Sequence, residues 1–424
     1  MKRPDDHGLS RRSFLKKSSL VLGLAGAVEI PAEAPAVRPA RPADAKPMNL
    51  ALLGFGPWGR EIASTLERLP EVHLAAVSDP YDVMLRRVGR SYPEARTETD
   101  YRVLLDDPAI DGVIIATPTH THRQLAVDAL QAGKHVYCEA PLAHTIDDAR
   151  AIARAAAAAE GQIFQSGLQY RSDPQYRSVF GFIRSGAVGR ATMVRGQWHA
   201  KESWRRASPN REREREQNWR LDADLSPGLL GEIGIHQLDV AAWFLGARPV
   251  SATGFGQIML WDDGRTVPDT VQAVLAFPDG TRHVYDATLA SSFDGRYELF
   301  FGSDSTIMLR DSKGWMFKEV DAPVLGWEVY ARKDTFYKEK GIALVANATK
   351  LEALGQDPAA DDPNAQTPLW HALKAFHDNF TYGPFPPAAG PQEGFEATVV
   401  ALKANEAVLA GGGITISEAD LAVG

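Results

Sequence analysis

The chain has 424 residues, 44% hydrophobic and 24% charged, a composition that excludes whole-chain disorder and a collagen-like fibre and, at roughly 100–200 residues per domain, suggests two or three domains. Its 54 acidic residues outnumber its 46 Lys and Arg, and the resulting net charge of −8 argues against a general nucleic-acid binder. The one cysteine, Cys138, excludes an intrachain disulfide and a cysteine-cluster metal site.

The N-terminus predicts an export signal. Arg11 and Arg12 precede an apolar run at residues 20–28, which is too short for a bilayer span of about 20 residues. A basic region followed by a short apolar stretch is typical of a secretory signal, and adjacent arginines place it in the twin-arginine class. We expect residues 1–45 to be a twin-arginine signal and linker, the protein to be periplasmic or otherwise exported, and the mature chain to have no membrane span.

A glycine-rich turn follows the first predicted strand, which runs from Met48 to Leu53. Gly54, Gly56 and Gly59 form a G-x-G-x-x-G pattern between that strand and a predicted helix, the context in which this pattern binds a dinucleotide. The first glycine permits the tight turn, the second lets the backbone approach the pyrophosphate, and the third lets helix and strand pack closely. The helix N-terminus would present free N–H groups to the phosphates.

A carboxylate, Asp79, follows the second predicted strand at residues 72–77. It lies where an acidic residue would bond the ribose hydroxyls of NAD. A 2′-phosphate would meet charge repulsion there, and no Arg or Lys replaces the acid. The sequence therefore predicts NAD as the cofactor in preference to NADP.

Further apolar strands alternate with helices up to residue 165, and this alternation is typical of a doubly wound parallel sheet. Ligands of such sheets bind beyond the carboxyl ends of the strands. We therefore expect a Rossmann domain over residues 46–165, with a cofactor held by four residues that follow strand ends, namely Gly54, Asp79, Thr117 and Glu139.

Several segments after the leader carry further motifs: Ala116-Thr117-Pro118, His122, Glu139-x-Pro141, Gly167-Leu168-Gln169-Tyr170-Arg171 and Gly231-Glu232-Ile233-Gly234-Ile235-His236-Gln237-Leu238-Asp239. They resemble the signatures of the glucose–fructose oxidoreductase, inositol dehydrogenase and rhizopine catabolism family, usually written Gfo/Idh/MocA. The resemblance implies a C-terminal α+β domain with an open, mainly antiparallel sheet over residues 166–424. It also implies a sugar, polyol or related alcohol as the substrate, and assembly into a homo-oligomer, a dimer or tetramer.

With this resemblance, we expect cofactor contacts from Gly54, Phe55, Gly56, Trp58, Gly59, Asp79, Thr117, Pro118, His122, Glu139 and Gln169. The chain departs from the family at Ala140, because members often have Glu-Lys-Pro where this chain has Glu-Ala-Pro. That lysine commonly takes part in proton transfer or orients the reacting hydroxyl, and alanine can do neither. Lys201 could replace it in space.

Glu232 and His236 are the expected catalytic pair. They lie four residues apart in a predicted helix, which would put both on one face, and a carboxylate beside an imidazole can fix its tautomer. We expect His236 to be the base that takes the alcohol proton and Glu232 to orient or assist it. From the spacing alone a structural His–Glu pair is the alternative, and the resemblance favours catalysis. His120, His122 and His199 are too scattered for a metal site, and none is predicted.

Residues 197–221 are the candidate specificity segment, because aromatic faces stack on sugars and arginine forks bond carboxylates. Packing of its tryptophans on the sheet is the alternative, and the charged run at residues 211–216 is interpreted as a solvated insertion. Substrate contacts are expected from Tyr170, Arg171, Trp204, Arg205, Trp219 and Arg220.

Three functions stay open. The first is an NAD(P)-dependent oxidoreductase acting on a carbohydrate alcohol. The second is a glycoside-cleaving enzyme that works by transient oxidation, elimination and re-reduction, and the third is a non-catalytic binding protein that lost catalysis with Ala140. Because an exported enzyme has no recycled pool of soluble NAD, we expect a tightly bound cofactor that is regenerated within the site.

Overall fold

The computed structural model describes residues 47–326, 328, 331, 333–336, 339–346 and 365–424. The predicted export signal at residues 1–45 lies outside the described residues. None of the described helices is long and apolar enough to cross a lipid bilayer.

The first sheet is built from six strands: β1 (Met48–Leu53), β2 (Val72–Ser78), β3 (Arg96–Glu98), β4 (Gly112–Ile115), β5 (His135–Cys138) and β6 (Phe164–Ser166). All pair in parallel, in the order β3-β2-β1-β4-β5-β6. The helices along this part of the chain are α1 (Pro57–Leu66), α2 (Asp82–Ser91), α3 (Arg102–Leu105), α4 (His122–Gln131) and α5 (Ile146–Ala158). The central strands are buried apolar runs, as a parallel sheet covered by helices requires. The predicted doubly wound Rossmann domain is confirmed.

The second sheet has ten strands: β7 (Ala191–His199), β8 (Ser251–Gln257), β9 (Thr270–Ala276), β10 (Arg282–Thr288), β11 (Arg296–Gly302), β12 (Ser305–Arg310), β13 (Lys313–Lys318), β14 (Lys333–Phe336), β15 (Glu339–Leu344) and β16 (Gly413–Thr415). Their order is β14-β15-β13-β12-β11-β7-β10-β9-β8-β16. Among the described strands of this sheet, β7 and β10 are the one parallel pair. The predicted open, mainly antiparallel sheet is therefore also confirmed.

The remaining helices are α6 (Pro174–Arg184), α7 (Glu214–Gln217), α8 (Ile235–Leu245), α9 (Pro368–Tyr382), α10 (Pro391–Ala410) and α11 (Glu418–Leu421). Helix α9 returns to the first sheet, where Leu373 and Phe376 share one buried core with Met48 and Ile62. Helix α10 packs against both α5 and β8. The two late helices thus pack against both domains, and they hold the two sheets together.

Candidate active site

A crevice of about 1550 Å³ lies beyond the carboxyl ends of β1, β2, β4 and β5. Its first wall is the glycine turn, together with Asp79, Thr117, Pro118, Glu139 and Trp58. Its second wall comes from residues after β6 and from loops and a helix of the second domain, including Gln169, Tyr170, Trp204, Trp219, Glu232 and His236. The fold therefore brings together most of the residues that the sequence pointed to from separate segments.

The glycine turn has the shape that a pyrophosphate requires. Gly54 has a φ of +91°, and a Cβ there would lie 2.8 Å from the carbonyl oxygen of Ala116. A Cβ on Gly59 would lie 2.0 Å from the carbonyl oxygen of Gly54. At Gly56, which begins α1, a Cβ would meet no atom within 4 Å, so open space lies in front of the helix N-terminus. A dinucleotide phosphate fits that space and the unpaired N–H groups beside it.

Phe55 takes a different place from the expected one. Its side chain is 1% exposed and packs edge-on against Tyr92 in the core of the first domain. Only its backbone N–H points toward the site, where it donates to Asp79 at 2.9 Å. The positive φ of Gly54 breaks the alternation of β1, so the Phe55 side chain joins the core of Leu50 and Leu52.

Asp79 is nearly buried at the end of β2, and its two oxygens accept N–H groups from Phe55 and Tyr81, both at 2.9 Å. Burial raises the pKa of this carboxyl, although both hydrogen bonds and the charge of Arg213 oppose the rise. Arg213 lies 3.9 Å from the centroid of the Tyr81 ring and lines the crevice. The interpretation of residues 211–216 as a solvated insertion is therefore wrong for Arg213, which the fold brings from a distant part of the chain.

Two residues at the ends of β4 and β5 differ in what they offer a ligand. His122 is buried, and its ring nitrogens lie 3.0 Å from the Thr117 carbonyl and 3.1 Å from the Pro141 carbonyl. Burial lowers its pKa to about 4, although the carbonyls oppose this. Both ring nitrogens face backbone carbonyls, so neither is left for a cofactor. Glu139 is the opposite case. Its Oε1 is buried without a hydrogen-bond partner among the described residues, and burial raises its pKa to about 7 against the opposing effects of Trp58 and Ala140.

His236 lies at the floor of the crevice on the first turn of α8. Its ring packs edge-on against the ring of Tyr170, with centroids 5.8 Å apart and planes at 82°. Burial, and then the charge of Arg296, lower its pKa to about 4. The imidazole is therefore neutral at neutral pH, and its Nδ1 is buried without a hydrogen-bond partner among the described residues.

The sequence predicts that Glu232 orients His236, but in the structure it does not. Its oxygens accept instead from the Thr119 hydroxyl at 2.9 Å and from the Nε of Arg220 at 3.2 Å. Residues Leu230–Gly234 form a π-helical turn before α8 begins, and the Glu232 and His236 side chains both line the crevice. Among the described residues, both oxygens of Glu232 are taken by Thr119 and Arg220, and no hydrogen bond joins them to the imidazole. Glu232 is thus the anchor of Arg220, whose guanidinium lies between the rings of Trp204 and Trp219.

The distances from that guanidinium are 5.7 Å to the Trp204 ring and 5.2 Å to the Trp219 ring. Both tryptophans line the crevice, and Trp219 also packs edge-on against His120. Trp204 has a positive φ of 61°, which is rare for a bulky residue and tends to occur at functional sites. These three residues form an aromatic and cationic wall that suits the apolar face of a sugar.

Three expected site residues lie away from the crevice. Lys201 is exposed, and its backbone pairs with Ala290. Arg205 is exposed on the outside of the segment, where it pairs with Glu214, while its neighbour Arg206 lines the crevice. Arg171 is half-buried and forms a two-pronged ion pair with Asp239 of α8, at 2.9 and 2.8 Å.

Sequence reasoning missed Arg296, the first residue of β11, which lines the crevice. Its guanidinium donates to the hydroxyl of Tyr170 and lies 5.2 Å from that ring. No motif marks this arginine, and only the pairing of β11 with β7, which sets Arg296 opposite Trp198 in the crevice wall, reveals it.

In the described part of the chain, no three His, Cys, Asp or Glu side chains come together in a way that could hold a metal ion. His199 is engaged with Asp286 at 2.6 Å, and His120 packs edge-on against His144 at 6.1 Å.

Family models match both domains of the chain. A family model described as "Oxidoreductase family, NAD-binding Rossmann fold" matches residues 48–167, and one described as "GFO/IDH/MocA C-terminal domain" matches residues 176–307. The chain is 30% identical over 267 residues to scyllo-inositol 2-dehydrogenase (NAD(+)) of Bacillus subtilis, covering 62% of this chain and 73% of that protein. It is 29% identical over 207 residues to inositol 2-dehydrogenase 2 of Saccharopolyspora erythraea, covering 49% of this chain and 56% of that protein. The crystal structure of an oxidoreductase domain protein from Kribbella flavida shares the fold, with a TM-score of 0.73 at 22% identity over 88% of this chain and 100% of the other.

Proposed function

The chain belongs to the Gfo/Idh/MocA family of NAD(P)-dependent oxidoreductases, and on that premise we propose that it oxidises or reduces an alcohol carbon of a sugar or polyol, with NAD as the cofactor. The observation that carries the proposal is that His236 shares one crevice with the glycine turn. The names of the two inositol dehydrogenases support the substrate class.

The residues fit a dinucleotide that runs along the first wall. The glycine turn would hold the pyrophosphate, Asp79 the adenosine ribose, and the loops that carry Thr117 and Glu139 the nicotinamide half. Bound NAD would supply the hydride acceptor or donor. The preference for NAD rests on Asp79, and Arg213 partly offsets the repulsion that a 2′-phosphate would meet there, so we expect a limited preference.

The chain's own contribution is to orient the alcohol and to move its proton. Trp204, Trp219 and Arg220 would bind the faces and hydroxyls of the sugar, while the neutral imidazole of His236 accepts the hydroxyl proton in oxidation and returns it in reduction. The second domain also closes one side of the crevice, and this excludes water from the reacting groups.

A covered adenosine end supports a tightly bound, internally recycled cofactor. Arg213 lies on Tyr81 of the first domain, yet its segment is fastened to the second domain through Arg220 and Glu232. We expect these contacts to slow the release of a cofactor bound beside Asp79. This arrangement suits an exported enzyme, and both the export and the redox-neutral chemistry that would follow from it belong to the proposal.

The second candidate is the glycoside-cleaving route through transient oxidation. Glu139 favours it, because a buried carboxyl with a pKa of about 7 and a free oxygen could remove the C–H proton beside a transient ketone. Export with a retained cofactor also suits this route, since no net NADH is formed.

Two assays on the purified protein test the proposal. Protein saturated with NAD is incubated with a panel of sugars, polyols and aryl glycosides, while nicotinamide absorbance and aglycone release are followed. NADH that accumulates with added NAD supports the oxidoreductase, and aglycone release without net NADH supports the second candidate. If NAD binds and no compound reacts, the protein is a binding protein. The His236→Ala variant should lose turnover by about 100-fold or more, the usual contribution of a positioned base, while it retains NAD binding.

A further inference from the structure

Removal of a proton from an alcohol leaves negative charge on its oxygen, and a preorganised cation aimed at that oxygen contributes strongly to catalysis in a crevice shielded from water. Ala140 cannot supply such a group. Among the described residues that line the crevice there is no lysine, and the cations are five arginines, namely Arg102, Arg206, Arg213, Arg220 and Arg296.

Three of these arginines lie toward the end of the crevice that Asp79 marks. Arg102 and Arg213 stack on tyrosine rings near the ends of β3 and β2, at 4.7 and 3.9 Å. Arg206 lies near Arg60 of α1. Burial and another arginine lower the pKa of Arg60 most, and the charge of Arg206 lowers it further. They are therefore placed for the adenosine and phosphate groups of a dinucleotide, and away from His236.

The fourth, Arg220, is paired with a carboxylate. Its Nε donates to Glu232, whose side chain is 3% exposed. The charge of Arg220 is thus neutralised within the wall. It can still bond a substrate hydroxyl, but it offers little net positive charge to a developing oxyanion.

Arg296 differs from the first three arginines in its position and from Arg220 in having no carboxylate partner in the part of the chain that the structure describes. It acts on His236 electrostatically, and it donates to the hydroxyl of Tyr170, the residue whose ring packs against that imidazole. The nearby carboxylate Glu298 attracts Arg296 electrostatically, but one of its oxygens accepts from the hydroxyl of Tyr176 at 3.1 Å. Among the described residues, no carboxylate lies within ion-pair distance of the Arg296 guanidinium, so its charge is only partly offset.

We propose that Arg296 is a catalytic residue of this enzyme, which stabilises negative charge on the substrate oxygen while the proton of that oxygen passes to His236. The inference rests on the proposed function. In the step, the substrate O–H bond breaks, its electron pair stays on oxygen, and the proton bonds to a nitrogen of the imidazole. Tyr170 is a positioning residue, because its hydroxyl holds the guanidinium in place.

Burial, and then the charge of Arg296, keep the imidazole of His236 neutral before the reaction. The other titratable groups around it are Tyr170 after β6, Tyr285 of β10, which packs against Gly234, and Glu232 in the π-helical turn. Both tyrosines are neutral near pH 7 because burial raises their pKa, and Glu232 is bound to Thr119 and Arg220. Arg296 is therefore the charge whose removal should move the titration of His236 most.

The experiment compares Arg296→Gln, Arg296→Lys and a matched control, Arg310→Gln. Arg310 is also a half-buried arginine stacked on a tyrosine of β11, at 5.2 Å from the Tyr297 ring, but it does not line the crevice. The NMR titration of the His236 imidazole should shift to higher pH in Arg296→Gln and stay near that of the natural protein in the other two. The kcat of Arg296→Gln should fall by about 100–1000-fold with little change in KM, and Arg296→Lys should recover part of it.

An unchanged titration of His236 together with an unchanged kcat in Arg296→Gln would overturn the inference, as would an equal loss in Arg310→Gln. If the natural protein turns over no sugar, the proposed function fails, and the imidazole titration alone then decides whether Arg296 acts on His236. Should Arg296→Gln not fold, Tyr170→Phe removes only the hydroxyl that holds the guanidinium, and it should shift both readouts in the same directions by a smaller factor.

Discussion

Arg171→Ala should destabilise the folded protein, because this arginine is part of a buried ion pair. Its guanidinium donates to both oxygens of Asp239 at 2.9 and 2.8 Å, and the two side chains are 15% and 4% exposed. Burial lowers the pKa of Arg171, but Asp239 outweighs it and the pKa is raised. Without the arginine, Asp239 would be left buried and unpaired, and breaking such a pair costs about 3–5 kcal/mol.

Urea unfolding followed by circular dichroism gives the free energy of unfolding for each variant. The control is Arg205→Ala, an exposed arginine whose pair with Glu214 should contribute at most about 1 kcal/mol. The double variant Arg171→Met/Asp239→Leu should recover most of the loss, because replacement of a buried pair by apolar groups is often neutral. The reasoning is refuted if Arg171→Ala unfolds like the natural protein while KM for the substrate rises sharply, since Arg171 would then bind substrate, as the sequence alone suggested.

Three further predictions concern the first wall of the crevice. Asp79→Asn should weaken NAD binding by about 10–100-fold, because a charge-assisted hydrogen bond is lost, and it should reduce the preference for NAD over NADP. Equal affinities of the variant and the natural protein for NAD in calorimetry would exclude the ribose contact. Gly59→Ala should melt at a clearly lower temperature than the natural protein, because its Cβ would lie 2.0 Å from the Gly54 carbonyl oxygen. The matched control for folding is Gly56→Ala, whose Cβ would meet no atom within 4 Å. The carboxyl of Glu139 has a pKa raised from 4.5 to about 7, so stability should fall as pH rises across that interval and stay lower above it. Glu139→Gln should remove this slope and exceed the natural protein by about 3 kcal/mol above neutral pH, at about 1.36 kcal/mol per pKa unit; a parallel pH profile of the two proteins would contradict the shift.

The first domain could be predicted because its signals are local. The glycine turn, the apolar strand before it and Asp79 lie within one βαβ unit, and each residue type has a direct physical reason. The same locality explains what failed at Phe55 and His122. Both lie beside crevice residues, but the side chain of Phe55 joins the apolar core and the ring of His122 faces two backbone carbonyls.

The second wall could be predicted only in part, because it is assembled from distant segments. The i to i+4 argument placed Glu232 and His236 in one crevice, but nothing in the sequence signalled that Thr119 and Arg220 would take the oxygens of Glu232. Arg213 and Arg296 carried no motif, and each reaches the crevice through tertiary packing. Lys201 and Arg205 were chosen by residue type, and Arg171 by its place in a motif. Neither criterion reveals whether a charged side chain points to a cleft, an ion pair or solvent.

The central claim is that one crevice holds the dinucleotide with its nicotinamide end facing His236. A crystal structure of the NAD-bound protein tests it most directly. We expect the pyrophosphate at the N-terminus of α1, a ribose bonded to Asp79, and the nicotinamide ring beside His236 and Arg296. A dinucleotide bound outside this crevice, or one whose nicotinamide ring lies on the far side of Glu139 from His236, would contradict the account.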